Sequence, residues 1–157
     1  MDHSNTPRVI SARSLFGFIA GFISTLIFHQ LTLGLLWETG LAPSAPFSMA
    51  GTHPFGVPAV LSLAFWGGVW GIVFALTERN FARGGGYWVT AFLFGAVFPS
   101  LVALLVVLPL KGRPVGGGWQ AHVWLTACLV NGMWGIGTGI FLRALLTKIT
   151  WARHATA

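Results

Sequence analysis

Four long stretches without a charged residue constrain this chain more than any other feature: Ser14–Trp37, Phe55–Thr77, Tyr87–Leu110 and Val123–Leu142. About 20 apolar residues suffice to carry a helix across the hydrocarbon core of a bilayer, and each stretch reaches that length. In lipid no water bonds to exposed N–H and C=O groups, so the backbone must satisfy itself and such runs are expected to be helical. The helix breakers lie between them, in GLAPSAPFSMAGTHPFGVP, ERNFARGGG and KGRPVGGGWQAH. Composition agrees. Only 8% of the residues are charged, against about 25% in ordinary soluble domains, and the mean hydropathy is +0.76. The expected fold is all-α, an integral membrane four-helix bundle. A polar segment (1–13) precedes a single transmembrane domain (14–142), and a basic tail (143–157) follows it.

The polar start MDHSNTPRVISAR, followed by an uncharged run, has the outline of a signal peptide, with APSA (Ala42–Ala45) as its cleavage site. The run of 24 residues from Ser14 to Trp37 exceeds the usual apolar region of about 7–15, so a retained first span is expected. Orientation follows from Lys and Arg alone. Arg8, Arg13, Arg79, Arg83, Arg143, Lys148 and Arg153 fall on one side, and Lys111 and Arg113 on the other. Both termini are expected in the cytoplasm. Trp37, Tyr87, Trp88, Trp119, Trp124 and Trp151 sit near span ends, as interfacial aromatics do.

FWGGVWGI (Phe65–Ile72) and LVNGMWGI (Leu129–Ile136) share Gly-x-Trp-Gly-Ile, and LFG recurs at Leu15–Gly17 and Leu93–Gly95. The recurrence fits either two tandem helical hairpins of related sequence or chance in a chain rich in Gly, Trp and Leu. Small residues let membrane helices approach closely, and Gly17/Gly21, Gly67/Gly71 and Gly135/Gly139 have the four-residue spacing for it. Gly17, Gly21, Thr25 and His29 form one ridge and Asn131, Gly135, Gly139 and Arg143 another. Paired antiparallel, they would set the first helix against the fourth and His29 opposite Asn131. A competing surface on the second helix is offered by Gly67, Gly71 and Ala75.

His29, Gln30, Ser100 and Asn131 are the candidate intramembrane polar layer. His29 is expected as a neutral imidazole bonded to Asn131 or a carbonyl, and Gln30 as facing the second helix or a partner subunit. A buried ionisable group in a membrane is also a functional-site hypothesis, and an imidazole with an ordinary pKa of about 6.5 can relay protons. Glu38 and Glu78 lie at span ends, which disfavours an exporter built on an intramembrane carboxylate. Pro99 is expected to kink the third helix and free a carbonyl for Ser100 or a neighbour. Trp66, Trp70 and Trp134 either line a groove for lipid, quinone or pigment or fill space between glycine-rich helices.

Other chemistries find little support. Cys128 is the only cysteine, which leaves no internal disulfide, dithiol chemistry or cysteine zinc cluster. His29 is the only histidine deep in a span, so two axial haem ligands are not at hand, and His29, His53 and His122 show no zinc-ligand spacing. GRPVGGGW lacks the Lys-Ser/Thr ending of a phosphate loop. Asp2 is the only aspartate, so no Ser-His-Asp triad is at hand. The net charge of +6 comes without a basic, aromatic-bearing patch outside the spans, so nucleic acid is not an expected partner. No catalytic, metal or cofactor residues are assigned.

RSLFGFIAGFISTLIFHQ, PFGVPAVLSLAFWGGVWGI and VVLPLKGRPVGGGW carry a resemblance to an uncharacterised family of small four-span inner-membrane proteins of proteobacteria. The resemblance implies a bacterial inner-membrane location and nothing catalytic. The expected function is that of a non-enzymatic accessory or structural subunit, its partners being the lipid bilayer and other membrane subunits or itself. The alternative is a small transporter or channel with a polar layer around His29 and Asn131.

Overall fold

The computed structural model describes residues 6–155, with side chains over 12–147. Four helices are long and apolar enough to cross a membrane: α1 (Ala12–Glu38), α2 (Ala59–Asn80), α3 (Gly86–Leu110) and α4 (Ala121–Thr147). The shortest has 22 residues, about 33 Å at 1.5 Å per residue, enough for a hydrocarbon core of about 30 Å. By length and composition the chain is a multi-pass membrane protein folded as an all-α bundle. The α1 helix continues back to Thr6 and α4 on to Ala155, so parts of the expected polar segment and tail are helical. The second helix starts at Ala59 rather than Phe55. Ahead of it a short hairpin, β1 (Gly51–Thr52) and β2 (Val57–Pro58), pairs antiparallel, and Pro58 is extended (φ −51°, ψ 134°) immediately before the helix.

The glycine ridges meet differently from the expected pairing. Gly17 and Gly21 of α1 face Gly71 and Gly67 of α2: a Cβ on Gly17 would stand 2.5 Å from the Gly71 carbonyl oxygen and 2.6 Å from the Ala75 Cβ. Gly135 and Gly95 bring α4 and α3 together, a Cβ on either running into the carbonyl oxygen of Ala91 or Asn131. Gly139 faces the Tyr87 ring. Helix one therefore uses its small residues on helix two, and the ridge of helix four is spent on helix three.

These contacts repeat. Phe18 lies over Gly68 beside the Gly17/Gly21–Gly67/Gly71 approach, and Phe92 lies over Gly132 beside the Ala91/Gly95–Asn131/Gly135 approach. The α1–α2 and α3–α4 hairpins thus match residue for residue at this interface. GFIAG (Gly17–Gly21) corresponds to AFLFG (Ala91–Gly95), one helical turn away from the LFG alignment that the sequence invites.

Two π turns interrupt the helices, at Thr25–His29 in α1 and Ala103–Val107 in α3. In α1 the Gly21 carbonyl accepts from Thr25 Oγ1 at 2.9 Å and from Trp134 Nε1 at 3.0 Å, and the Gln30 N–H reaches Thr25 O, five residues back. Side-chain donors on a helix carbonyl are a standard cause of such irregularity. In α3 the π turn precedes Pro109, which has no N–H to give its own turn. Pro99 stays within regular helix.

Candidate functional site

The four candidate polar residues fall into two closed pairs. Asn131 Nδ2 donates to Ser100 Oγ at 3.0 Å, and Ser100 Oγ donates to the Ala127 carbonyl at 3.0 Å. Ser100 thus bonds across to α4 rather than to a carbonyl freed by Pro99. His29 is not the partner of Asn131. Its Nδ1 lies 3.3 Å from Gln30 Nε2, with the amide the donor because that nitrogen has no acceptor capacity.

Gln30 does not face helix two. It is 2% exposed, and its Oε1 accepts from the Phe47 backbone N–H at 2.6 Å. Phe47 has φ 54°, a left-handed conformation unfavourable for a bulky side chain, and Gln30 holds it from below. The inserted residue of the π turn accounts for this placement: one extra residue rotates everything beyond it by about 100°. Thr126 Oγ1 donates to Leu41 O at 3.3 Å and Ala42 is buried, so the 39–58 connection is tied to α4 as well as to α1.

Mid-bundle, α1 and α4 are locked reciprocally. Ser24 Oγ donates to the Trp134 carbonyl at 2.7 Å while Trp134 Nε1 donates to the Gly21 carbonyl. The Trp134 ring is 2% exposed and meets Phe74 edge-on at 6.3 Å between centroids. Of the two roles considered for it, Trp134 fills space, whereas Trp66 is 59% exposed on the outer surface of α2.

At the end of the bundle near Ala12 and Thr147, each helix contributes one residue to a charged network. Arg13 of α1 donates to the Ala75 carbonyl at 2.6 Å through Nε and pairs with Glu78 of α2 through Nη2. Tyr87 of α3 donates its hydroxyl to the other Glu78 oxygen at 2.7 Å. The Arg143 guanidinium of α4 lies 3.5 Å over the Tyr87 ring centroid and 5.4 Å from that of Trp88. Beside this network is an open depression of about 220 Å³ between the α2–α3 connection and Arg143. Among the described residues, no three His, Cys, Asp or Glu side chains converge as a metal site.

In the sequence Arg13 and Tyr87 read as topology and interface signals, Arg143 as a topology signal and the end of the fourth-helix ridge, and Glu78 as a span end. A signal was available. Two arginines, one glutamate and one tyrosine, each within a turn or so of a span end on the same side, are placed to meet. No family model, curated protein or solved structure matches the chain.

Proposed function

We propose that this chain is a non-enzymatic accessory subunit of the bacterial inner membrane, packing in a larger membrane complex or a homo-oligomer with both termini in the cytoplasm. The observation that carries the reading is the 39–58 connection. It is anchored from within by Gln30 and Thr126, yet it turns apolar side chains outward: Phe55 is 86% and Met49 67% exposed. Lipid can cover the flanks of the four helices, but these side chains stand on a non-helical connection that folds back over the end of α1 as far as Gln30, and exposed apolar surface on such a segment supports a contact site. The orientation is supported by Arg13, Arg79, Arg83 and Arg143 at one end of the bundle against Lys111 and Arg113 at the other.

A transporter needs polar groups free to bind a passing solute. Here Ser24, Ser100, Thr126, Asn131 and Thr138 each donate to a partner inside the protein, which favours the structural role. Extraction from native membranes in mild detergent tests the reading. The expected outcome is a stoichiometric companion or a defined homo-oligomer, with Phe55→Ser weakening the association. A stable monomer travelling alone, with proteoliposome flux lost in His29→Ala and Asn131→Ala, would replace it with the transport reading.

A further inference from the structure

The depression at the charged end of the bundle has a composition that the packing of the helices does not require. Glu78 is its only carboxylate, and both oxygens are occupied, one by Arg13 and one by Tyr87. Arg13 offsets the Glu78 charge from behind. What remains on the lining is three exposed arginines, Arg79, Arg83 and Arg143, with no acidic partner among the described residues.

Arg143 is held in place by aromatic rings rather than by a carboxylate. The guanidinium carbon lies 3.5 Å over the Tyr87 ring and 5.4 Å from that of Trp88, and a guanidinium carries its five N–H donors in a fork suited to phosphate oxygens. The depression lies where α2 ends and α3 begins, so it opens at the level of lipid headgroups. Gly84, two residues before α3, lines it too, and the partly positive start of that helix adds to the field. At about 220 Å³ the depression is smaller than drug-sized sites of roughly 300–1,000 Å³, a size suited to a headgroup.

We propose that Arg79, Arg83 and Arg143, on the platform made by Tyr87 and Glu78, form a binding site for a phosphate ester of net negative charge. Three converging cations suit the several oxygens of a phosphate better than a single carboxylate, and charge-assisted bonds of this kind are the strong ones. The same chemistry is presented by an anionic phospholipid headgroup and by a free phosphate monoester.

The test uses the full-length protein in detergent, with native mass spectrometry and thermal shift as readouts. Dioleoyl phosphatidylglycerol, dioleoyl phosphatidylcholine and glycerol 3-phosphate are the probes. Two variants remove the same charge from opposite ends: Arg79→Gln/Arg83→Gln and Lys111→Gln/Arg113→Gln. The expected result is preferential binding of a net-anionic phosphate probe over zwitterionic phosphatidylcholine, weakened by roughly tenfold in the first variant, for two lost charge-assisted contacts, and unchanged in the second. Within that result, binding of phosphatidylglycerol alone identifies a lipid site, and binding of glycerol 3-phosphate alone a soluble ester; competition between the two identifies a site that reads the phosphate itself. Equal weakening in both variants, or no preference over phosphatidylcholine by any probe, overturns the proposal.

Discussion

Tyr87 donates its hydroxyl to Glu78 across 2.7 Å, and that bond joins the two hairpins of the bundle at the end where α2 and α3 are connected. Arg13 on the other Glu78 oxygen and Arg143 over the Tyr87 ring extend it to all four helices. The carboxylate is therefore the hub of the network, and its charge matters more than its size.

Glu78→Gln preserves shape while leaving the Arg13 guanidinium without a counter-charge. Removing one partner of a buried pair costs about 3–5 kcal/mol. Because the two side chains retain 15% and 9% exposure, a loss of about 2–3 kcal/mol is expected by that same rule. Reversible unfolding in detergent measures it. The double change Arg13→Gln/Glu78→Gln should be less damaging than the sum of its parts, and strict additivity would remove the pair from the account of stability.

The α1–α2 contact depends on the absence of a side chain at Gly71, where a Cβ would collide with the Gly17 carbonyl oxygen. Gly71→Ala should cost about 1–3 kcal/mol, the range for overpacking. Gly85 has nothing within 4 Å of a Cβ and ordinary helical angles (φ −62°, ψ −32°). Gly85→Ala should be neutral or stabilising by up to about 1 kcal/mol, through a smaller unfolded-state entropy. Equal effects of the two substitutions on the melting temperature would contradict the packing described.

Disulfide crosslinking separates the observed helix pairing from the one the glycine spacing suggests. A Cβ on Gly137 meets Ser24 Oγ, so cysteines at 24 and 137, after Cys128→Ala, should crosslink readily. Cysteines at 21 and 139 should not, because Gly21 faces Gly67 while Gly139 faces Tyr87. The opposite pattern on a non-reducing gel would restore the expected pairing.

Double-mutant cycles address the polar residues. Ser100 and Asn131 share a hydrogen bond, so Ser100→Ala and Asn131→Leu should couple by about 0.6 kcal/mol, the average in measured membrane systems. His29→Leu and Asn131→Leu share no partner and should add within about 0.5 kcal/mol. Strong coupling between His29 and Asn131 would mean a single continuous layer.

Gln30→Met keeps the volume of the side chain and removes the acceptor for the Phe47 N–H. Leaving a buried donor unsatisfied costs about 1–3 kcal/mol, and here the cost falls on the loop. Hydrogen exchange over residues 42–50 should accelerate by roughly tenfold or more, at about 1.4 kcal/mol per decade, with the helix cores unchanged. Unaltered exchange in that segment would show that the loop holds itself.

The uncharged runs by themselves determined that there are four helices and where most of their ends lie to within about a turn, because lipid leaves an apolar backbone no alternative to helix; the polar extensions back to Thr6 and on to Ala155 lie outside those runs. Of the small residues the runs marked, Gly17, Gly21, Gly67, Gly71 and Gly135 line close backbone approaches, whereas Gly95, the α3 partner of Gly135, was not among them. Which helix receives which ridge was decided only in three dimensions, since Gly67 and Gly135 offer nearly the same surface and identical spacing cannot choose between them. The place of His29 and Gln30 was decided by a π turn beside the Gly21 carbonyl, which accepts from the local Thr25 hydroxyl and from Trp134, 113 residues further on. Glu78, Tyr87, Arg13 and Arg143 stand in the sequence as four separate span-end residues. They become one network only when four helix ends converge, because charges at the rim of a bundle are brought together by the packing of the apolar faces beneath them.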